Sequence, residues 1–192
     1  MLTAAIGEPF DNFQNVMKAI RLLNDPKAVN IGARRITVST CGVIPKIKEL
    51  AKEGMQIELA ISLHGYDNES RNVLMPVNRK YPFDDLMEAC REYIQSTRRQ
   101  ITFEYILIKG VTCTDQAAQA LKKAFKGLIC KMNLIPYNKV NEFDHEPPSR
   151  EEMFRFKNQL ERYGILATIR MPRGRDVSAA CGQLRHASAA AE

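Results

Sequence analysis

The sequence predicts a parallel α/β fold, on three observations. Apolar, β-branched runs alternate with helix-period stretches about five times, at roughly 20 to 45 residues per unit. One run, residues 57–63, is almost continuously apolar, as suits a strand covered on both faces of a parallel sheet. Polar or glycine-bearing residues also recur where the predicted strands end, the place where such folds gather ligands: Gly7 with Glu8, Ser39 with Cys41 and Gly42, Ser62 with His64, then Asn138, and Cys181 beyond the last strand.

Each element follows from its local pattern. Residues 2–6 form a short apolar strand stub, Gly7-Glu8-Pro9 a turn, and residues 12–24 a helix with Phe13, Val16, Met17, Ile20 and Leu23 at helical spacing. After a polar, turn-rich stretch at 27–32, the β-branched run 36–40 reads as a strand that stops at Cys41-Gly42. The helix at 45–52 has Pro45 in its first turn, where the missing N–H costs nothing, and Gly54 just past its end. Strand 57–63 follows, then a long polar loop over 66–81, a length more often functional than accidental. The helix at 83–96 turns Leu86, Ala89, Cys90, Tyr93 and Ile94 inward, which makes Cys90 a core residue. Strand 101–108, helix 115–125 and strand 131–136 come next. The helix at 149–163 opens on Ser149, with Glu152 three residues on completing a capping box, and a strand at 167–171 closes the series.

Composition bounds the function. The chain has 192 residues, 45% of them apolar and 26% charged, the profile of one ordinary globular domain. No run approaches the roughly 18 consecutive apolar residues of a membrane span, and the start Met-Leu-Thr-Ala-Ala-Ile has no basic region ahead of an apolar one. The expectation is a cytoplasmic protein without a membrane partner. The five cysteines, Cys41, Cys90, Cys113, Cys130 and Cys181, are widely spaced with no Cys-x-x-Cys pair, which argues against a zinc site or a disulfide scaffold. The net charge of +6 is compatible with a polyanion such as nucleic acid. Neither a Walker loop nor a His-Glu-x-x-His or Gly-x-Ser-x-Gly signal occurs.

The candidate site residues each have a structural and a chemical reading. Cys181 lies between small residues and a glycine, where little bulk shields the sulfur; a lone cysteine is also a small apolar core residue. Arg170, Arg173 and Arg175 precede it and can neutralise phosphates, lower a thiol pKa, or simply form a solvated loop. Gly7-Glu8 can offer a carbonyl and a carboxylate to an ammonium group, or serve as a plain turn. Ser39 and Ser62 can donate to a ligand or cap loops, His64 can touch a ligand or cap a strand, and Asn138 presents both donors and acceptors. Glu104 and His145 are titratable, but the sequence assigns them no partner.

Five of these segments, taken together and in order, resemble one family. Gly7-Glu8-Pro9, Ser39-Thr40-Cys41-Gly42, Ala60-Ile61-Ser62-Leu63-His64, Asn133-Leu134-Ile135-Pro136-Tyr137-Asn138 and Ala179-Ala180-Cys181-Gly182-Gln183-Leu184 are similar to the radical S-adenosylmethionine (SAM) methyltransferases that methylate adenine carbon 2 in 23S rRNA and tRNA. The carbon-8-methylating relative shares most of these segments. The resemblance implies a partial (β/α) barrel holding SAM and a [4Fe-4S] cluster, with 23S rRNA, tRNA and a reductant protein as partners. It implies SAM contacts at Gly7, Glu8, Ser39, Ser62, Leu63, His64 and Asn138. It further implies that Cys181 is methylated by one SAM, loses hydrogen to a 5′-deoxyadenosyl radical made from a second, and delivers the carbon to the base, a second cysteine releasing the product as a disulfide forms.

The chain departs from that pattern in one respect. The family's Cys-x-x-x-Cys-x-x-Cys cluster motif does not occur in it. The cluster motif, the resolving cysteine, a general-base glutamate and an N-terminal RNA-binding domain are all expected upstream of Met1. Residues 1–192 are therefore expected to be the C-terminal portion of a radical SAM barrel domain, inactive alone, with no metal ligand of its own. A non-catalytic RNA-binding or SAM-binding remnant is the alternative.

Overall fold

The computed structural model describes residues 7–139 and 144–170, and within them the alternation read from the sequence is present. A 3-10 turn at Pro9–Asn12 leads into α1 (Phe13–Asn24), and a second at Ala33–Arg35 leads into β1 (Thr37–Thr40). Then come α2 (Ile44–Ala51), β2 (Glu58–Ser62), α3 (Asn68–Leu74), a 3-10 turn (Pro76–Arg79) and α4 (Phe83–Thr97). The chain continues through β3 (Ile101–Leu107), α5 (Asp115–Ala124), β4 (Cys130–Pro136), α6 (Arg150–Arg162) and β5 (Leu166–Ile169). The strand stub expected at residues 2–6 lies outside the described residues.

The five strands form one parallel sheet in the order β1-β2-β3-β4-β5, and every described pairing is between sequence neighbours. A sheet whose right-handed crossovers all step the same way places its helices on one face, as in a (β/α) barrel, whereas a reversal of strand order would divide them between two. The sheet is open, with β1 and β5 as its outer described strands, so the architecture is a partial barrel.

Register makes the two faces different. Thr40, Ile61, Phe103, Met132 and Ala167 are level with one another and all buried, as are Tyr105 and Leu134 one step further along. These side chains merge with Met17, Ile20, Ile47, Leu50, Leu86, Cys90, Leu121, Phe156 and Leu160 from the helices into one core. The opposite face carries Ser39, and then Ser62, Glu104, Asn133 and Thr168 in a single level row. None of that row is fully buried.

Most predicted elements hold. Ser149 and Glu152 form the capping box that opens α6, Pro45 sits in the first turn of α2, and Cys90 is fully buried on α4. The loop expected over 66–81 instead contains α3 and a 3-10 turn. Asp67 opens α3 by accepting from the Ser70 amide at 2.8 Å, in a capping box with Ser70. The helix escapes periodicity because its one buried side chain is Arg71, a charged residue at 0% exposure.

Candidate functional site

The carboxyl ends of β1 and β2 are built around two ionisable side chains. Glu8 caps the turn before α1: Oε1 accepts from the Phe10 amide at 3.0 Å, and Oε2 accepts from the Cys41 amide at 2.6 Å. The turn at Gly7-Glu8 is thereby tied to the end of β1. Gly7 has φ of +112°, a conformation that disfavours any side chain, while a Cβ there would meet nothing within 4 Å; the backbone rather than crowding demands glycine.

Arg71 fastens β1 to β2 from beneath. Its Nη2 donates to the Cys41 carbonyl at 2.6 Å, Nε to the Leu63 carbonyl at 3.2 Å, and Nη1 to Asn78 Oδ1 at 2.9 Å and the Tyr81 carbonyl at 3.4 Å. All four acceptors are neutral, and no salt bridge to Arg71 occurs among the described residues. Two glycines make room for it. A Cβ on Gly42 would lie 3.1 Å from Nη2, and one on Gly65 would lie 2.7 Å from the Arg71 backbone. Neither Arg71 nor Asn78 is among the residues singled out from the sequence; the signal, an arginine inside a polar stretch, is one that surface arginines share.

The predicted residues fall as follows. Ser39 and Ser62 are on the polar face, half-buried, with Ser62 level with Glu104. Leu63 is fully buried; its amide donates to the Glu104 carbonyl at 3.0 Å and its carbonyl accepts from Arg71 and Gly65, so its polar groups are committed within the protein. His64 follows with φ of +53°, its amide 3.3 Å from the same Glu104 carbonyl. Its Nδ1 is shielded from solvent and has no hydrogen-bond partner among the described residues. Burial, reinforced by the charge of Arg71, pushes the His64 pKa down to about 4, so the ring is neutral at physiological pH. Asn138 is exposed just past the end of β4. Cys181, with Arg173 and Arg175, lies outside the described residues.

Glu104, left without a partner by the sequence, has one here. Asn133 Nδ2 donates to its Oε1 at 3.0 Å across β3 and β4, while Oε2 is shielded and has no partner among the described residues. The structure thus places Gly7, Glu8, Ser39, Ser62 and His64 around the carboxyl ends of β1 and β2 and Asn138 just past that of β4, while Glu104 is level with Ser62 from within β3.

The four described cysteines are free thiols and poor nucleophiles. Burial, followed by the adjacent Glu8 carboxylate, pushes the Cys41 pKa up to about 12. Burial alone takes Cys130 to about 12, burial and then Glu152 take Cys113 to about 11, and burial raises Cys90 further still. No group of three His, Cys, Asp or Glu side chains suited to a metal ion occurs among the described residues. A groove of about 530 Å³ between α3, α4 and α5, lined by Tyr66, Phe83 and Lys123, contains none of the candidate residues.

Comparison with known proteins identifies the family and the fold. The family model described as the radical SAM superfamily matches residues 2–124. A probable dual-specificity RNA methyltransferase RlmN from Clostridium novyi (strain NT) is 50% identical over 93% of the chain and 52% of its own length. A crystal structure of a radical SAM methyltransferase from Sphaerobacter thermophilus superposes with a TM-score of 0.90 at 46% identity, over 95% of this chain and 53% of that one. A domain of pyruvate-formate lyase-activating enzyme from Bacteroides vulgatus ATCC 8482 shares the fold, with a TM-score of 0.69 at 17% identity, over 89% of this chain and 98% of that one. The chain spans about half the length of the curated relatives it matches.

Proposed function

Because this chain belongs to the radical SAM superfamily, we propose that it is the C-terminal barrel portion of an RNA methyltransferase that modifies adenine carbon 2 in 23S rRNA and tRNA. The observation that carries the reading is that Gly7, Glu8, Ser39, Ser62, His64 and Asn138 lie at or just past the carboxyl ends of parallel strands, in a chain about half identical to relatives named as probable dual-specificity RNA methyltransferases.

SAM fits the residues present, since a row of polar side chains with shielded polar atoms that lack a partner among the described residues, His64 Nδ1 and Glu104 Oε2, is suited to a zwitterionic nucleoside. Bound there, SAM supplies an electrophilic methyl group on a positively charged sulfur. The chain's own residues hold it. Gly7 offers a backbone free of side chain to the ammonium end, with Glu8 bracing the turn; Ser39 and Ser62 offer hydroxyls; neutral His64 offers an imidazole nitrogen; Asn138 offers an amide from β4. Leu63 contributes by setting the backbone path between Ser62 and His64. Cys181 is the proposed methyl carrier, a role adenine carbon 2 requires because it is too electron-poor to attack a sulfonium methyl directly.

A [4Fe-4S] cluster does not fit the cysteines of this chain. They lack the three-cysteine spacing, and the four described ones are separate, protonated thiols. We accordingly assign the cluster ligands, the N-terminal RNA-binding region and the docking of a reductant protein to no residue of this chain. The proposed location is the cytoplasm; among the described residues no helix is long and apolar enough to cross a membrane.

The test is co-expression with a polypeptide carrying the cluster motif, followed by mass spectrometry of Cys181 and nucleoside analysis of 23S rRNA and tRNA. The expected results are a methylated Cys181, 2-methyladenosine in both RNAs, and loss of the product in Cys181→Ala. Detection of 8-methyladenosine instead would move the chemistry to carbon 8, and an active Cys181→Ala would remove the carrier role.

A further inference from the structure

We infer that Glu104 is a further ligand-binding residue of this site, its carboxylate accepting hydrogen bonds from the ribose hydroxyls of SAM. The inference rests on the SAM-binding reading above and assigns a contact that reading does not contain.

Glu104 is positioned from three sides. Its backbone carbonyl accepts from both Leu63 and His64, so the residue cannot shift relative to the segment that leaves β2. Its side chain stands level with Ser62 on one side and Asn133 on the other. Asn133 then holds Oε1 at 3.0 Å, which fixes the plane of the carboxylate.

One oxygen is left over. Oε2 has no donor among the described residues, although it is withdrawn from solvent. A shielded carboxylate oxygen without a donor is costly, and a ligand that brings one recovers that cost on binding. The other carboxylate at this end of the sheet cannot serve in the same way. Both oxygens of Glu8 already accept from backbone amides, those of Phe10 and Cys41.

The order of the strands selects the part of the ligand. The residues proposed to hold SAM run across the sheet from Glu8, tied to the end of β1, through Ser62 on β2 to Asn138 after β4. Adjacent strands are about 4.8 Å apart. SAM is itself linear in the order amino acid, sulfonium, ribose, adenine. With the amino-acid end at Gly7 and Glu8, the middle of the molecule falls over β2 and β3, where Glu104 is the only carboxylate in the level row from Ser62 to Thr168. The ribose hydroxyls are the donors of that middle section, and carboxylates are established partners for nucleotide ribose hydroxyls.

The experiment is ligand binding by the full chain, measured by calorimetry or equilibrium dialysis with SAM, S-adenosylhomocysteine and 2′-deoxy-SAM. Glu104→Ala is expected to weaken SAM and S-adenosylhomocysteine equally, by about 10- to 100-fold, the range for hydrogen bonds to a charged group. Wild type should prefer SAM over the 2′-deoxy analogue by about tenfold or more, and both Glu104→Ala and Glu104→Gln should lose that preference. Glu104→Gln keeps the size of the side chain and an oxygen for Asn133, so it decides the matter if the alanine variant does not fold. The inference is overturned if the variants bind all three ligands as wild type does or keep the full preference against the deoxy analogue. It is equally overturned if SAM alone weakens while S-adenosylhomocysteine does not, which would place the contact at the sulfonium charge. A wild-type chain that binds neither SAM nor S-adenosylhomocysteine would instead overturn the SAM-binding reading itself.

Discussion

Glu8 and Cys41, 33 positions apart in the sequence, are joined by a 2.6 Å hydrogen bond from the Cys41 amide to Glu8 Oε2. The bond closes the turn before α1 onto the end of β1. The Cys41 carbonyl is in turn held by Arg71, so the two peptide groups flanking one residue are gripped by a carboxylate and a guanidinium from two different segments.

Replacing Glu8 with Ala strips the partner from two backbone amides, those of Phe10 and Cys41. A shielded donor left unpaired costs about 1–3 kcal/mol, so Glu8→Ala should lower stability in urea denaturation by about that amount. Glu8→Gln keeps one acceptor oxygen and should cost less. Equal stability of all three proteins would show that the turn does not depend on this carboxylate.

Arg71→Met fills similar volume but takes the arginine donor from the oxygens of Cys41, Asn78 and Tyr81, and one of two donors from that of Leu63, which keeps Gly65. Several buried acceptors lose a partner at once, and the expected loss is about 3 kcal/mol or more. Arg71→Lys retains the charge without the planar fork that reaches three segments, so it should recover only part of the loss. Faster amide exchange at both Cys41 and His64 in each variant is the accompanying signature.

The His64 ring should make stability depend on pH. Its folded pKa of about 4 lies below the unfolded value of 6.5, so between those values the unfolded chain binds more protons. Its contribution is therefore complete above about pH 6.5, falls as pH drops towards 4, and changes no further below that. The slope is at most about 1.4 kcal/mol per pH unit. Denaturant titrations at successive pH values should show this dependence in wild type and its removal in His64→Asn.

The thiols at Cys41, Cys90, Cys113 and Cys130 should resist alkylation in the folded chain. Their raised pKa values leave far less thiolate at pH 8 than a free cysteine has, so iodoacetamide should modify each at least about a hundredfold more slowly than after unfolding in urea. Peptide mapping resolves each site. Rapid labelling of Cys41 in the native state would show that its burial against Glu8 is transient.

What the sequence determined by itself was the alternation of elements and the places where strands end. Apolar spacing, the Pro45 first turn and the Ser149 capping box are local features, set by neighbours within a few residues. That Gly7, Glu8, Ser39, Ser62, His64 and Asn138 lie near strand ends was legible for the same reason, because a parallel sheet aligns every strand end on one side. Only the tertiary structure decided that Glu8 spends its carboxylate on backbone amides, that Arg71 is a buried fastener and not a loop charge, and that Glu104 keeps one oxygen uncommitted. Arginine and glutamate are solvated in most positions, so their spacing carries no period to read. What a buried charge does depends on acceptors and donors brought close by folding from up to 33 residues away, as between Glu8 and Cys41.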